Sequence, residues 1–314
     1  MSCDPIVFVD ATLEAAVRHA VGKTEGALGL ADVATLSNLS VPALASLAGI
    51  ECLTGLTSLA VNNGQISDLT PLAPLSQLSQ LDLASNPIAA LDVLATLPKL
   101  TGLDLAAIPG QLDLTPLARS RSLVDLSLNE NEQLGDLTAL GAIPTLRRLS
   151  LRSTTLLEPA SLSALRNVSE LYASNALADA SPLAPLTQLT VLDITSNQLT
   201  DISALGALTH LTKLDVSSNQ IANISALSGM RELDYLDISN NQIADLSALT
   251  QLAALYLLYA QQNQIADLTP LVQNAGIASQ DLMFLKMNPL DCNGQAPNIA
   301  TLRARGVNLL TDCE

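Results

Sequence analysis

Leu192-Asp-Ile-Thr-Ser-Asn197-Gln-Leu199 is followed, 22 residues on each time, by Leu214-Asp-Val-Ser-Ser-Asn219-Gln-Ile221, Leu236-Asp-Ile-Ser-Asn-Asn241-Gln-Ile243 and Leu258-Tyr-Ala-Gln-Gln-Asn263-Gln-Ile265. A fixed period of this length, with leucines at constant offsets, is the signature of a solenoid in which each repeat is one supersecondary unit. The alternation within each copy puts two apolar side chains on one face of a short strand and the residue between them on the other. The chain must then turn, and backbone groups inside the turn lose their ladder partners. Asn suits that place, because its carboxamide carries donors and an acceptor and can satisfy its own turn and the neighbouring one. The Ile-x-Asp-Leu/Ile-x-x-Leu segment that follows is apolar at mixed spacing and is expected to return as a short helix or extended turn. The predicted product is a parallel sheet with one strand per repeat.

Composition agrees with a stack of small layers. The 314 residues are 48% hydrophobic but only 2% aromatic and 14% charged, with no Trp. A core so poor in rings must be assembled from many similar leucine layers. Length alone suggests about two domains, but the repeat overrides that in favour of one continuous solenoid. The mean hydropathy of +0.35 is high. Even so, the run from Leu252 to Ala260 falls far short of the ~20 apolar residues of a spanning helix. Met1-Ser-Cys-Asp-Pro5 leads directly into folded-domain sequence, so the chain reads as either cytosolic or a mature form with its signal removed.

The formal net charge is −16, from 14 basic and 30 acidic residues. Such a surface repels phosphate backbones and argues against nucleic-acid partners. It equally describes a well-solvated coat for an apolar chain. Cysteines stand at 3, 52, 292 and 313, two near each end. In an elongated solenoid the ends are far apart, leaving Cys3 with Cys52 and Cys292 with Cys313 as the expected pairing among the three that four cysteines allow. That pairing indicates an oxidising, extracytoplasmic compartment: secreted, periplasmic or on a surface. Four reduced thiols in the cytoplasm is the alternative. A third reading makes Cys3 a lipid-anchor residue and leaves Cys52 unpaired. Neither a Cys-x-x-Cys spacing nor a His close to any cysteine supports a metal or other cofactor.

Both ends read as caps. Residues 1–32 form an N-terminal helical cap: Asp10 is the helix N-cap, Glu14 lies in the first turn, Leu13, Val17 and Val21 make the apolar stripe, and Gly22 is the stop. Residues 33–287 hold about 11–12 repeats and residues 288–314 a C-terminal cap, with a short helix from Ala300 to Arg305 and a strand-like Val307–Leu310. The strand leucines are Leu39, Leu59, Leu81, Leu103, Leu126, Leu149, Leu171, Leu192, Leu214, Leu236 and Leu258, with a degenerate last one at Leu285. The turn Asn recurs at Asn86 and Asn131, whereas Gly64, Ile108 and Thr154 replace it elsewhere and Asn175 comes one residue early.

Copies such as Asn197-Gln-Leu-Thr-Asp-Ile-Ser-Ala-Leu205, with the cap stretch Phe8-Val-Asp-Ala-Thr-Leu-Glu-Ala-Ala-Val-Arg18, resemble bacterial leucine-rich repeats of the internalin type. The resemblance implies an α/β solenoid: a leucine-rich repeat horseshoe with a parallel concave β-sheet, short convex helices or turns, and caps at both ends. It also implies a non-enzymatic module that binds a partner protein through the concave face, on a bacterial surface or secreted; an intracellular scaffold or regulator of the same fold is the alternative. The chain is read as a monomer without a membrane span.

The residues flanking each strand leucine form the display face. The column after it reads Ala60, Asp82, Asp104, Ser127, Ser150, Tyr172, Asp193, Asp215, Asp237, Tyr259; the column before it ends Tyr235, Leu257, Phe284. With adjacent strands ~4.8 Å apart, these large side chains should form one row. The chain has only four Tyr and two Phe, so their concentration here marks interface anchors. The competing reading is that the C-terminal cap covers Leu257 and Phe284. Arg148 and Arg152, with Ser150 between them, form a second candidate contact able to receive carboxylates, unless Asp125 and Glu170 neutralise them in the same molecule. Phosphate loops, metal-spaced His pairs and local nucleophile motifs do not occur.

Overall fold

The computed structural model describes residues 3–313. The chain divides into two compact units, Met1–Asn167 and Val168–Glu314. The first carries strands β1 (Asn38–Ser40), β2 (Ser58–Ala60), β3 (Gln80–Asp82), β4 (Gly102–Asp104), β5 (Asp125–Ser127) and β6 (Arg148–Ser150). The second carries β7 (Glu170–Tyr172), β8 (Val191–Asp193), β9 (Lys213–Asp215), β10 (Tyr235–Asp237), β11 (Leu257–Tyr259), β12 (Leu282–Phe284) and β13 (Asn308–Leu310). Within each unit, consecutive strands pair in parallel with strand leucine opposite strand leucine, as in Leu59↔Leu81↔Leu103 and Leu192↔Leu214↔Leu236↔Leu258.

The register departs from the sequence reading in the last repeats. Met283, not Leu285, stands opposite Leu258, and Leu309 continues the row in β13. Leu285 is instead the second buried residue of its strand, equivalent to Ala260, and both are fully buried.

One repeat shows how the core is made. Leu214, Val216, Ile221, Ile224, Leu227, Met230 and Leu233 are all buried, and each such side chain contributes roughly 1.5–3 kcal/mol on leaving water. The return segments are mostly short 3-10 turns such as Ser203–Ala207, Ser225–Gly229 and Ser247–Gln251. An Asx side chain opens each of them: Asp201, Asn223 and Asp245 accept from the N–H two residues on at 2.8–2.9 Å.

The turn asparagines form the predicted ladder. Asn219 Nδ2 donates to Ile194 O at 3.0 Å in the preceding repeat and to Val216 O at 3.0 Å in its own, while its Oδ1 accepts from Leu199 N at 2.8 Å. Asn197, Asn241, Asn263 and Asn288 repeat this pattern. Asn86 and Asn131 do the same in the first unit. Where Thr154 replaces Asn, its hydroxyl still reaches Leu128 O at 2.8 Å. Where Ile108 replaces it, Ile88 N turns to Asn86 O at 2.8 Å. Asn175 is not a misplaced ladder residue: its φ of 52° puts it in the left-handed position that Asn63, Ser196, Ser218 and Asn240 also occupy. Short polar side chains tolerate that conformation best.

The caps confirm some expectations and correct others. The first helix runs Ala11–Val21, with Asp10 accepting from Thr12 N and Leu13 N and Gly22 left-handed at φ 69°. The other oxygen of Asp10 accepts from Ala45 N at 2.7 Å, tying the cap to the first repeats. The last helix is longer than the sequence suggested, Cys292–Ala304, and passes through Pro297. The expected start at Ala300 is therefore eight residues late, and Asp291 caps the observed one. Both disulfides form as paired above, Cys3–Cys52 and Cys292–Cys313. With its sulfur in that bond, Cys3 has no valence left for a lipid thioether, so the lipid-anchor reading is withdrawn. Among the described residues no helix is long and apolar enough to cross a membrane.

Candidate protein-binding face

The strand residues on either side of each buried strand leucine or its equivalent are half-buried or exposed, except the buried Gly102, so the strands of each unit present an open face opposite their core. In the second unit the column after the leucine reads Tyr172, Asp193, Asp215, Asp237, Tyr259, Phe284, Leu310. The column before it reads Glu170, Val191, Lys213, Tyr235, Leu257, Leu282, Asn308. Phe284 therefore belongs beside Tyr259 and not in line with Tyr235 and Leu257. The misplacement follows from anchoring the strand on Leu285.

The correction strengthens the aromatic cluster. Tyr259 and Phe284 stack with ring centroids 4.7 Å apart and planes 13° from parallel, and Tyr235 leans on Tyr259 at 5.9 Å and 55°. Leu257, Leu282 and Leu310 extend the apolar surface, and none of the six is fully covered. Leu282 was hidden by the same register error, and Leu310 because the strand-like Val307–Leu310 was assigned to the cap and not counted as a strand of the sheet. Tyr256, half exposed just before β11, was missed because it lies outside the two flanking columns. Tyr172 stands three strands from Tyr235, and its hydroxyl donates to Glu170 Oε2 at 3.2 Å. A depression of about 230 Å³ lies between these two tyrosines, lined also by Val191, Asp193, Lys213 and Asp215.

The aspartates of this face serve the fold with one oxygen each. Asp215 Oδ1 accepts from Ser217 N and Asp237 Oδ1 from Ser239 N, both at 2.9 Å, closing the strand ends. Burial pushes both carboxyls up, and the neighbouring Asp237 and Asp193 charges add to the effect at Asp215. Burial first, and then the aspartate charges, push the Tyr235 phenol up to about 12, so it stays a donor at neutral pH.

In the first unit the same face is small and polar: Ser58, Ala60, Gln80, Asp82, Gly102, Asp104, Asp125 and Ser127 line a depression of about 280 Å³. Arg148 pairs with Asp125 at 3.1 Å, and Asn129 Oδ1 accepts from Ser150 Oγ at 2.6 Å and from Arg152 N at 2.8 Å. Arg148 is thus engaged by its own scaffold, as the intramolecular alternative expected.

Tandem short parallel strands joined by 3-10 turns and locked by an Asn ladder define a leucine-rich repeat protein, and residues 187–229 match the family described as leucine rich repeats (2 copies). The chain is similar along 98% of its length to an internalin, InlF, from Listeria monocytogenes, at 30% identity over 90% of that protein, with a TM-score of 0.82. It belongs to the internalin family. The plant peptide hormone receptor RGFR1, solved in complex with RGF2, shares the fold at 19% identity and TM-score 0.56, covering 80% of this chain and 47% of that one. Comparison with curated protein sequences finds no match.

Proposed function

We propose that the protein is a non-enzymatic binding module that holds a partner protein on the open face of β7–β13, with Tyr235, Leu257, Tyr259 and Phe284 as anchors and Tyr172 at the flank. The observation that carries this reading is the half-exposed stack of Tyr235, Tyr259 and Phe284. A leucine-rich core has no need of rings on its outer side, and exposed aromatic clusters on a rigid sheet are the usual material of interface anchors. Arg148 and Arg152 contribute polar contacts of smaller weight, since Arg148 already has Asp125. The protein acts as a monomer in a bacterial extracytoplasmic setting, a placement supported by the two disulfides.

The test uses the full chain as bait on membrane-protein and secreted-protein fractions, beside a Tyr235→Ala/Tyr259→Ala variant. Proteins retained by the first and lost from the second support the face. Equal retention, with the variant's melting temperature unchanged, sinks it. Thiol titration of the unfolded chain from its native source addresses the compartment: no reactive thiols is the expected result, and four overturns it.

A further inference from the structure

We infer that the partner segment is basic and apolar at once, seating an apolar side chain on Tyr259 and Phe284 and laying lysine or arginine over Asp193, Asp215 and Asp237. This rests on the reading that the open face of β7–β13 is the binding face. The rings and the carboxylates are neighbours in one column: Asp237 is one strand from Tyr259, and Asp193, Asp215 and Asp237 stand on successive strands, ~4.8 Å per step. A ligand that crosses the strands from the stacked rings toward β8 runs out over three carboxylates.

Two of them, Asp215 and Asp237, have capacity to spare. Asp215 and Asp237 each use Oδ1 on the strand-end N–H, and among the described residues neither Oδ2 receives a hydrogen bond. Gln261, two residues beyond Tyr259, has a carboxamide oxygen shielded from solvent that meets no donor among the described residues. Lys213 is the one basic side chain in the two flanking columns of this unit, and it makes no ion pair among the described residues. One ammonium beside three carboxylates leaves the local charge negative. The depression between Tyr172 and Tyr235 is lined by two rings and by Asp193 and Asp215 against the single Lys213, an arrangement that favours an ammonium or guanidinium both electrostatically and by cation–π attraction.

Alternative partners fare worse. An acidic segment meets like charge. A purely apolar one covers the rings but strips water from carboxylates it cannot compensate. The raised carboxyls of Asp215 and Asp237 show that these charges are already under strain in the free protein, and an arriving cation relieves it.

The probes are a synthetic peptide alternating Phe or Leu with Lys, its Glu-for-Lys counterpart, and a Ser-for-Phe/Leu counterpart, titrated against the full chain by calorimetry. The Lys-Phe/Leu peptide should bind, more weakly at high salt, and the other two should not compete with it. Asp215→Asn/Asp237→Asn should weaken it about tenfold, by roughly 1.4 kcal/mol. Asp201→Asn/Asp245→Asn removes the same charge from the return turns and should change binding less than about twofold. Equal losses from the two pairs, or equal binding of the Glu peptide, would overturn the inference. If Tyr259→Ala weakens the peptide while Asp215→Asn/Asp237→Asn does not, the basic character fails and the binding face stands. If Tyr259→Ala has no effect either, the face itself is refuted.

Discussion

The two units share one strand register rule and differ in what they do with it. In β7–β13 the ladder is unbroken from Asn197 to Asn288, and the open face carries Tyr172, Tyr235, Tyr259 and Phe284. In β1–β6 the Asn is replaced at Gly64, Ile108 and Thr154, of which Thr154 keeps one bond of the ladder, and the open face is built of Ser, Ala, Gly, Gln and Asp side chains, with Asp125 paired to Arg148. The regular scaffold carries the exceptional surface. Backbone satisfaction is set by the ladder residue inside the turn, and recognition by the columns flanking the strand leucine, so the two can vary independently. A stretch of perfect consensus is compatible with the most individual face of the molecule.

Removing one rung should separate the units most sharply. Asn219→Ala leaves Leu199 N and Asn197 N without their acceptor in a buried turn and removes one of the two side-chain donors at each of Ile194 O and Val216 O, at about 1–3 kcal/mol per unsatisfied group where no water enters. A loss of about 4 kcal/mol in urea unfolding is expected. Thr154→Ala frees one principal bond, to Leu128 O, and should cost only about 1 kcal/mol; equal losses would mean that the ladder is no stronger where it is continuous.

The disulfides sharpen the contrast from the ends. Cys3–Cys52 spans 49 residues and Cys292–Cys313 spans 21, so loop closure gives about 4 and about 3 kcal/mol respectively. Paired Cys→Ser variants should lower the melting temperature in that order. Ranking in reverse would locate the weaker cap at the N-terminus.

The smallest effect has the opposite sign. Burial raises the folded-state carboxyls of Asp215 and Asp237. Their contribution to stability is therefore fully present below the ordinary carboxylate range and is lost as pH rises through the folded value. Asp215→Asn/Asp237→Asn should raise the melting temperature at pH 7, and the gain should vanish near pH 3. Asp245 behaves oppositely: the Ser247 hydroxyl and N–H hold its carboxyl low, so its contribution is present at neutral pH and lost on acidification. Asp245→Asn should not stabilise at pH 7, and a gain there would remove the distinction between the two aspartate rows.

The fold was legible because period and ladder are written in single residues: leucines at fixed offsets and Asn five positions after each strand leucine. That same rule held the key to the one register error. Asn288 lies five residues after Met283 just as Asn263 lies five after Leu258, but Leu285 drew the anchor to itself. The shift moved Phe284 between columns and hid Leu282, while Leu310 was left in the cap. Cap geometry was legible at Asp10 and Gly22, where local chemistry decides it, and illegible at Pro297, where the helix continues against the residue's own preference. The face could be named as a column, but the stacking of Tyr259 on Phe284 needed the register.

The most direct test compares two double variants in one binding assay, using whichever protein the full chain retains. Tyr235→Ala/Tyr259→Ala should weaken binding about 30-fold or more, roughly 2 kcal/mol. Arg148→Ala/Arg152→Ala should weaken it less than about threefold, with both melting temperatures close to the parent. A large loss from the arginine pair and none from the tyrosine pair would place recognition in the first unit and contradict the account.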